Sequence, residues 1–294
     1  MQTSDPSIYA VGDMIEPPSP SGSTPRLVAL AGPANRQGRI AADHICGINP
    51  SGSYRGSVGT SIVKVFNLTA GMVGLSVAAL RKQGGNNPLW VSAHPPDHAG
   101  YYPGAKPVSI KLVFSPDTGR ILGAQVVGIN GVDKRVDVLA TAMQAGWTAQ
   151  DLEHLELAYA PPYGSAKDVV NMAGFIAGNV LRGNVQVVHA DEIDEKELEE
   201  GWQVVDVRGP GELKKVGFVK GAVNIPINEL RERLGELSPK KKTLVYCQVG
   251  YRGYLAYRIL KQRGFENVYN LDGGFKTVSQ AGLKALQEMP KSGC

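Results

Sequence analysis

Apolar and polar positions along this chain fall into short blocks that predict strands and helices in mixed order. Thr243-Leu-Val-Tyr246 is a compact apolar run that reads as a buried strand, and beyond Gly253 the spacing of Leu255, Ile259 and Leu260 is helical. Gln203-Val-Val-Asp-Val-Arg208 reads as another strand, closed by an acid and a base. Nearer the start, Ile8-Tyr-Ala-Val-Gly-Asp13 reads as an apolar strand ending in Gly-Asp, and a Pro/Ser/Gly loop follows from Pro17 to Pro25. Ala34 to Ile45 holds good helix formers behind a proline, which suits a first helical turn. Ser61 to Phe66 predicts a strand, and Thr69 to Lys82 an Ala/Val/Leu-rich helix. Ser109 to Phe114 alternates, Asp117-Thr-Gly119 turns the chain, and Ile121 to Gly128 returns, which is the pattern of a hairpin. Val132 to Ala145 and Lys167 to Leu181 predict two more helices. Arg182-Gly-Asn184 interrupts the pattern before the strand-like Val185-Gln-Val-Val188, so the main linker is expected there.

A length of 294 residues allows two or three domains, and 43% hydrophobic with 20% charged residues is the balance of an ordinary globular protein. No apolar run is long enough to span a bilayer, and Met1-Gln-Thr-Ser-Asp-Pro6 has no basic stretch leading into an apolar core, so a cytoplasmic protein is expected. A net charge of +4 without a basic–aromatic stripe argues against nucleic acid. The lysines of Ser238-Pro-Lys-Lys-Lys242 read as a solvated turn. Three distant cysteines make neither a disulfide framework nor a zinc site, and no metal is expected. His44 and Cys46 lie on one predicted helix as a poor ligand pair, with Cys46 expected as a packing residue.

Chemistry concentrates in Cys247-Gln-Val-Gly-Tyr-Arg252, between the Thr243 strand and the helix after it. Unpaired N–H groups and the helix dipole favour an anion there. A cysteine so placed is expected to ionise more readily than a free thiol, and the thiolate is the nucleophile. Free cysteines are often only small buried hydrophobes. The loop glycine, the closing arginine and the following helix argue here for reactivity instead. With the Asp-Val-Arg strand end, Gly217-Phe-Val-Lys-Gly-Ala-Val-Asn-Ile-Pro226 and the Leu-Asp-Gly-Gly turn of Gly264 to Phe275, residues 186–290 resemble a rhodanese (sulfurtransferase) domain. Four residues separate Cys247 from Arg252, one fewer than in the cysteine phosphatases, whose wider loop holds phosphate. The resemblance implies that Cys247 takes up sulfane sulfur as a persulfide and passes it to an acceptor. Backbone N–H groups of Gln248, Val249, Gly250, Tyr251, Arg252 and Gly253 would stabilise the terminal sulfur. Arg252 would support the loop or hold an anionic donor, and Asp206 and Arg208 would support it from nearby. The chain departs from many rhodaneses at Phe218 (a histidine there), Lys220 (a proline) and Gln248 (a basic residue).

The earlier part resembles the end of the FAD-binding domain and the dimerisation domain of pyridine nucleotide-disulfide oxidoreductases. The markers of the coenzyme A-disulfide reductase and NADH-dependent persulfide reductase branch are His98-Ala-Gly-Tyr-Tyr-Pro-Gly104, Asp133-Lys-Arg135, and Ala158-Tyr-Ala-Pro-Pro-Tyr163 leading to Lys167-Asp-Val-Val-Asn-Met172. The resemblance implies residues 1–60 as a remnant of the FAD domain, 61–183 as the dimerisation domain and 186–290 as the rhodanese domain. The expected fold is thus an α+β dimerisation domain followed by a small α/β domain with a parallel sheet. It also implies that Asp13 hydrogen-bonds the ribityl–phosphate part of FAD, and that Pro33 and Ala34 approach the flavin ring. Tyr101 and Tyr159, with Tyr163 as a third candidate, would reach across a dimer to a thiol substrate. From spacing alone these tyrosines read rather as interface or core aromatics with a polar tip, and the resemblance brings the two readings level.

The parent family uses FAD and NADH, yet no glycine fingerprint for a nucleotide follows a strand near the start. The sequence therefore reads as a truncated product or one half of a split gene, with no cofactor expected to bind tightly to this chain alone. Three readings stand. The first is a homodimeric sulfurtransferase working on coenzyme A persulfide, glutathione persulfide, polysulfide or thiosulfate. The second is part of a reductase whose FAD, NADH and redox cysteine come from a flavin-binding partner chain. The third is a non-catalytic dimeric scaffold.

Overall fold

The computed structural model describes residues 1–20, 25–49, 52–84, 87–281 and 287–288. The tip of the loop expected from Pro17 to Pro25 therefore lies outside the described residues, as does Cys294. The chain divides into two compact units: Met1–Trp90 with Ile110–Ala158, and Val91–Ser109 with Tyr159–Cys294. The division falls inside the stretch that the resemblance assigns to one dimerisation domain.

In the first unit, α1 (Ala31–Ile45) begins three residues earlier than the sequence suggests and keeps Pro33 in its first turn, where a missing N–H costs no hydrogen bond. Strands β1 (Ser61–Val65) and β2 (Leu68–Gly74) pair antiparallel from Ser61↔Met72 to Val65↔Leu68. The helix expected over Thr69 to Lys82 is thus half strand: only α2 (Val77–Lys82) is helical, begun by Ser76, whose Oγ accepts from the Ala79 N–H. The physical reason is Gly71. A Cβ there would lie 2.7 Å from Val136, so β2 packs its bare backbone closely under α3 (Val132–Gln144). Strands β4 (Ser109–Phe114) and β5 (Ile121–Gly128), with β3 (Leu89–Ala93), most of which the division counts with the second unit, give a sheet of order β1-β2-β5-β4-β3. The strand expected over Ile8 to Asp13 does not form. Tyr9 makes one isolated bridge to Gln2, and Gly12–Met14 is a short 3-10 turn. A strand needs a ladder to satisfy its backbone, and the described residues offer this segment a single rung. Cys46 is exposed at the end of α1 rather than packed inside.

The second unit contains α4 (Val169–Leu181), started by Asp168, whose carboxylate accepts from Val170 N–H while Asn171 accepts from Asp168 N–H. Strands β6 (Val187–Val188), β7 (Trp202–Asp206), β9 (Val223–Asn224), β10 (Lys242–Tyr246) and β11 (Val268–Leu271) form a parallel sheet of order β6-β11-β10-β7-β9. The connections carry α5 (Glu195–Gly201), α6 (Pro210–Val216) and α7 (Tyr251–Gln262), with α8 (Gly274–Gln280) after β11 and a two-residue β8 (Phe218–Val219) beside β12 (Gln287–Glu288). Alternate residues fill two cores. Val205, Val245, Ala256, Ile259 and Leu260 lie in one, and Val204, Leu244, Leu271, Phe275 and Val278 in the other. A parallel sheet covered on both faces requires such continuous apolar strands. Leu255, expected on the buried stripe of α7, is exposed, while Ala256 and Tyr257 are inside. Lys242, grouped by sequence with a solvated turn, starts β10 instead, with its ammonium over Trp202 and 2.7 Å from Glu197. Among the described residues no helix is long and apolar enough to cross a membrane.

Candidate active site

From β7 the chain moves outward to β9 and then returns to β10 on the other side of β7. The loops leaving the carboxyl ends of β7 and β10 therefore lie beside the point where the strand order reverses, the usual position of a ligand crevice in such sheets. The β7 loop carries Asp206 and Arg208, and the β10 loop carries Cys247.

Cys247 follows β10 directly and is 1% exposed. Its carbonyl accepts from Phe275 N–H at 2.9 Å, and the Gln248 carbonyl accepts from Lys276 N–H at 3.0 Å. The first turn of α8 thus clamps the back of the loop. Gly274 makes this fit possible: it has φ +65°, and a Cβ there would lie 2.5 Å from the Cys247 carbonyl oxygen. The loop then turns through Gly250 into α7, whose first turn has no side-chain cap. Asn270, nearly buried on β11, donates from Nδ2 to the Gly250 carbonyl at 3.4 Å. Its carboxamide fills the space beside Gly253, where a Cβ would come within 2.2 Å of Oδ1.

Two arginines flank the loop. Arg208 is fully buried: Nε and Nη2 donate to the Asp206 carboxylate, Nη2 also to the Gly217 carbonyl, and Nη1 to Gln248 Oε1 at 2.9 Å. Its guanidinium stacks 4.5 Å from the Phe275 ring centre. Burial alone would lower this group, but Asp206 outweighs it and holds the guanidinium above its ordinary value. Arg252 makes a fork to Glu212, with Nη1 and Nη2 each 2.7 Å from one carboxylate oxygen. That fork holds the Glu212 carboxyl below its usual range. Glu212, with the Cys247 sulfur as a further contribution, raises Arg252. Val249 and Tyr251 are exposed at the mouth. The sequence-predicted residues Asp206, Arg208, Cys247, Gln248, Gly250, Arg252 and Gly253 therefore converge. Glu212, Asn270 and Gly274 join them without having been singled out. Gly274 lies in the Leu-Asp-Gly-Gly turn that carries the resemblance, and Glu212 left a trace as an acid three residues after Gly209 at a helix start, where its Oε2 accepts from Gly209 N–H.

A polar node backs α8 within the same unit. Asp272 accepts from Ser92 N–H at 2.8 Å and lies 3.2 Å from His189 Nδ1. His94 bridges Ser109 Oγ and Thr277 Oγ1 at 2.8 and 2.9 Å. Burial and then the nearby Lys276 charge push His94 down to about 4 against the opposing pull of Asp272. The Tyr101 and Tyr159 hydroxyls are 3.0 Å apart, and that bond raises the Tyr101 phenol. Both side chains are largely in solvent, at 77% and 49% exposure, and Tyr163 is more exposed than Tyr159. The tyrosine loop is clipped at its base, where Asp97 N–H donates to Lys106 O and Lys106 N–H returns to Asp97 Oδ1.

In the first unit the Gly12 N–H donates to Gln37 Oε1 at 2.7 Å, and a Cβ on Gly12 would lie 3.7 Å from that of Ala34. The turn bearing Asp13 is therefore laid against the first turn of α1, which carries Pro33 and Ala34. Asp13 is exposed there.

Comparison with known proteins matches residues 60–169 to the pyridine nucleotide-disulphide oxidoreductase dimerisation domain and residues 189–281 to the rhodanese-like domain. The chain is similar to a coenzyme A disulfide reductase of Staphylococcus epidermidis, 39% identical over 176 residues, which are 60% of this chain and 39% of that protein. The solved structure of reduced Bacillus anthracis CoADR-RHD superposes with a TM-score of 0.92 at 47% identity, over 98% of this chain and 51% of that one. A NAD-dependent persulfide reductase from A. fulgidus does so with 0.83 at 37% identity, over 94% and 49%. The chain thus spans about half the length of these structural relatives, and less of the curated one. The chain thus carries a pyridine nucleotide-disulphide oxidoreductase dimerisation domain, of α+β type, followed by a parallel-sheet rhodanese-like domain, and is similar in both to coenzyme A disulfide reductases and persulfide reductases.

Proposed function

We propose that this chain is a sulfurtransferase that carries sulfane sulfur as a persulfide on Cys247. The observation that carries the reading is the buried cysteine at the carboxyl end of the central strand β10, followed at once by a loop winding into the uncapped first turn of α7. In the transfer, the Cys247 thiolate attacks the outer sulfur of a hydropersulfide R–S–SH. A new S–S bond forms on Cys247, the donor S–S bond breaks, and R–S⁻ leaves. An acceptor thiolate then reverses the exchange, so no oxidant or reductant is consumed. The N–H groups of Gln248 to Gly253 are the donors that would meet negative charge on the terminal sulfur. Coenzyme A persulfide, glutathione persulfide, polysulfide and thiosulfate are the donor classes.

A second reading takes the same loop as the sulfur-delivering end of an FAD- and NADH-dependent coenzyme A disulfide or persulfide reductase. It draws on the similarity to coenzyme A disulfide and persulfide reductases and on two clusters. The turn bearing Asp13 lies against the first turn of α1 with Pro33 and Ala34, and on a flavin supplied by a nucleotide-binding part Asp13 would meet the ribityl–phosphate part and Pro33 and Ala34 the ring. A bound flavin would supply two-electron redox chemistry. Tyr101 and Tyr159 form a donor pair that, in a homodimer, would hold a thiol substrate in the partner's site.

The test is intact mass after incubation with thiosulfate or polysulfide. A gain of one sulfur atom is expected, lost on adding cyanide or a thiol and absent in Cys247→Ala. No gain in folded protein with any donor overturns the reading.

A further inference from the structure

We infer that Glu212 is the donor-selecting residue of the Cys247 loop: by holding both Nη atoms of Arg252, it withholds the positive charge that a thiosulfate dianion needs and suits the mouth to an organic hydropersulfide. The inference rests on the persulfide reading of Cys247 and deepens it.

Arg208 is fully buried, and its donors are spent on Asp206, the Gly217 carbonyl and Gln248. It pairs one positive with one negative charge inside the fold. Arg252 is the charge that faces the cysteine, and its fork to Glu212 pairs it too. Gln248, the first residue after the cysteine, brings no charge, and its amide oxygen is turned to Arg208. Each arginine beside the loop is therefore matched by a carboxylate.

Glu212 is also held in place. Its Oε2 accepts from Gly209 N–H at 3.1 Å as well as from Arg252, and Pro210 fixes the first turn of α6 on which it stands. The pair is about one-third exposed, with side chains at 33% and 38%, so a donor entering the mouth meets it directly. A thiosulfate ion brings two negative charges next to the transferring sulfur, and the Glu212 carboxylate repels them. The reacting form of an organic hydropersulfide, R–S–SH, is uncharged at that position. Its chemistry is the exchange already written: a bond from Cys247 to the outer sulfur forms, the donor S–S bond breaks, and R–S⁻ departs.

The experiment measures sulfur uptake by the full chain as kcat/KM with thiosulfate and with glutathione persulfide, in wild type, Glu212→Gln and Glu212→Asp. Glu212→Gln is expected to raise the thiosulfate-to-persulfide ratio about tenfold, because the isosteric amide keeps the shape and removes the charge. Glu212→Asp is expected to hold the ratio near wild type even if both rates fall. A ratio unchanged in Glu212→Gln, whether both donors slow together or neither does, overturns the inference while leaving Cys247 as the sulfur carrier. Uptake from neither donor in folded wild type overturns the carrier reading itself, and donor selection with it.

Discussion

The Cys247 loop and the β1–β2 hairpin are finished in opposite ways. Around the loop, Arg208, Gln248, Glu212 and Arg252 each have a named partner, and the backbone is clamped from behind by Phe275 and Lys276. On the hairpin, Ile62, Val63, Val65 and Leu68 are exposed, and Phe66 at the turn is 94% exposed with φ +53°. A bulky residue at positive φ is a strained choice for a water-facing turn. A cluster of exposed apolar side chains on an edge strand is a surface open to association. The difference separates a site whose polar groups are matched within one chain from a hairpin whose apolar side chains stand in solvent.

If the loop is self-built, breaking its internal charges should damage it most. Arg208→Met removes one half of a fully buried ion pair and strands Asp206. The expected loss is about 3–5 kcal/mol of stability, seen in denaturant unfolding, together with sulfur uptake. Gly274→Ala comes next. Its Cβ would meet the Cys247 carbonyl at 2.5 Å and the Gly250 nitrogen at 2.8 Å, both backbone atoms that cannot swing aside. Strain at φ +65° adds to the clash, so about 2 kcal/mol and a tenfold or greater fall in uptake are expected. If Arg208→Met loads sulfur normally, the loop does not depend on its buried pair and the contrast fails.

The node behind α8 gives a smaller, pH-dependent effect. His94 is held near 4 in the fold against an ordinary 6.5, so between those values the unfolded chain binds more protons. The stability it protects is complete above about pH 6.5 and is lost as pH falls toward 4. The expected loss across that window is on the order of 2 kcal/mol. His94→Gln keeps a polar side chain without the titration. Unfolding free energies at pH 7 and 4.5 should therefore diverge less in the variant than in wild type. Equal divergence would mean that His94 does not titrate in this way.

Much of this organisation could be read from the chain because its signals are local. β10, the cysteine loop and α7 are contiguous, so strand, turn and helix patterns announced the loop, and the Leu-Asp-Gly-Gly turn before α8 announced its neighbour. What could not be read is what long-range pairing decides. Glu212 stands 40 residues from Arg252, and no pattern around either residue names the other. Asn270 and His94 meet the loop and its backing helix through the fold alone. The helix wrongly expected over Thr69 to Lys82 shows a local failure. Gly71 and Gly74 interrupt the helical spacing, and isolated glycines inside such a pattern mark close backbone approach as readily as a tolerated helix defect. Ile8 to Asp13 failed from the other side: its strand propensity was real, but the described residues give it one bridge rather than a ladder.

The weakest lever lies on the hairpin, and it tests the other half of the comparison. Asparagine tolerates positive φ better than phenylalanine, so Phe66→Asn should relieve the turn and stabilise the chain by about 1 kcal/mol. Because the Phe66 side chain is almost wholly in solvent, its loss removes no described core packing. A residue that improves the isolated fold when replaced is held for another purpose. If that purpose is association with a second copy, the same substitution should shift the concentration-dependent sedimentation of the chain toward the monomer, with sulfur uptake at Cys247 changed less than twofold. Greater stability with unchanged self-association would separate Phe66 from any such interface and leave the turn as strain without a partner. Lower stability would show that the phenylalanine serves the hairpin itself, and the line between a self-built loop and an unfinished hairpin would then have to be redrawn.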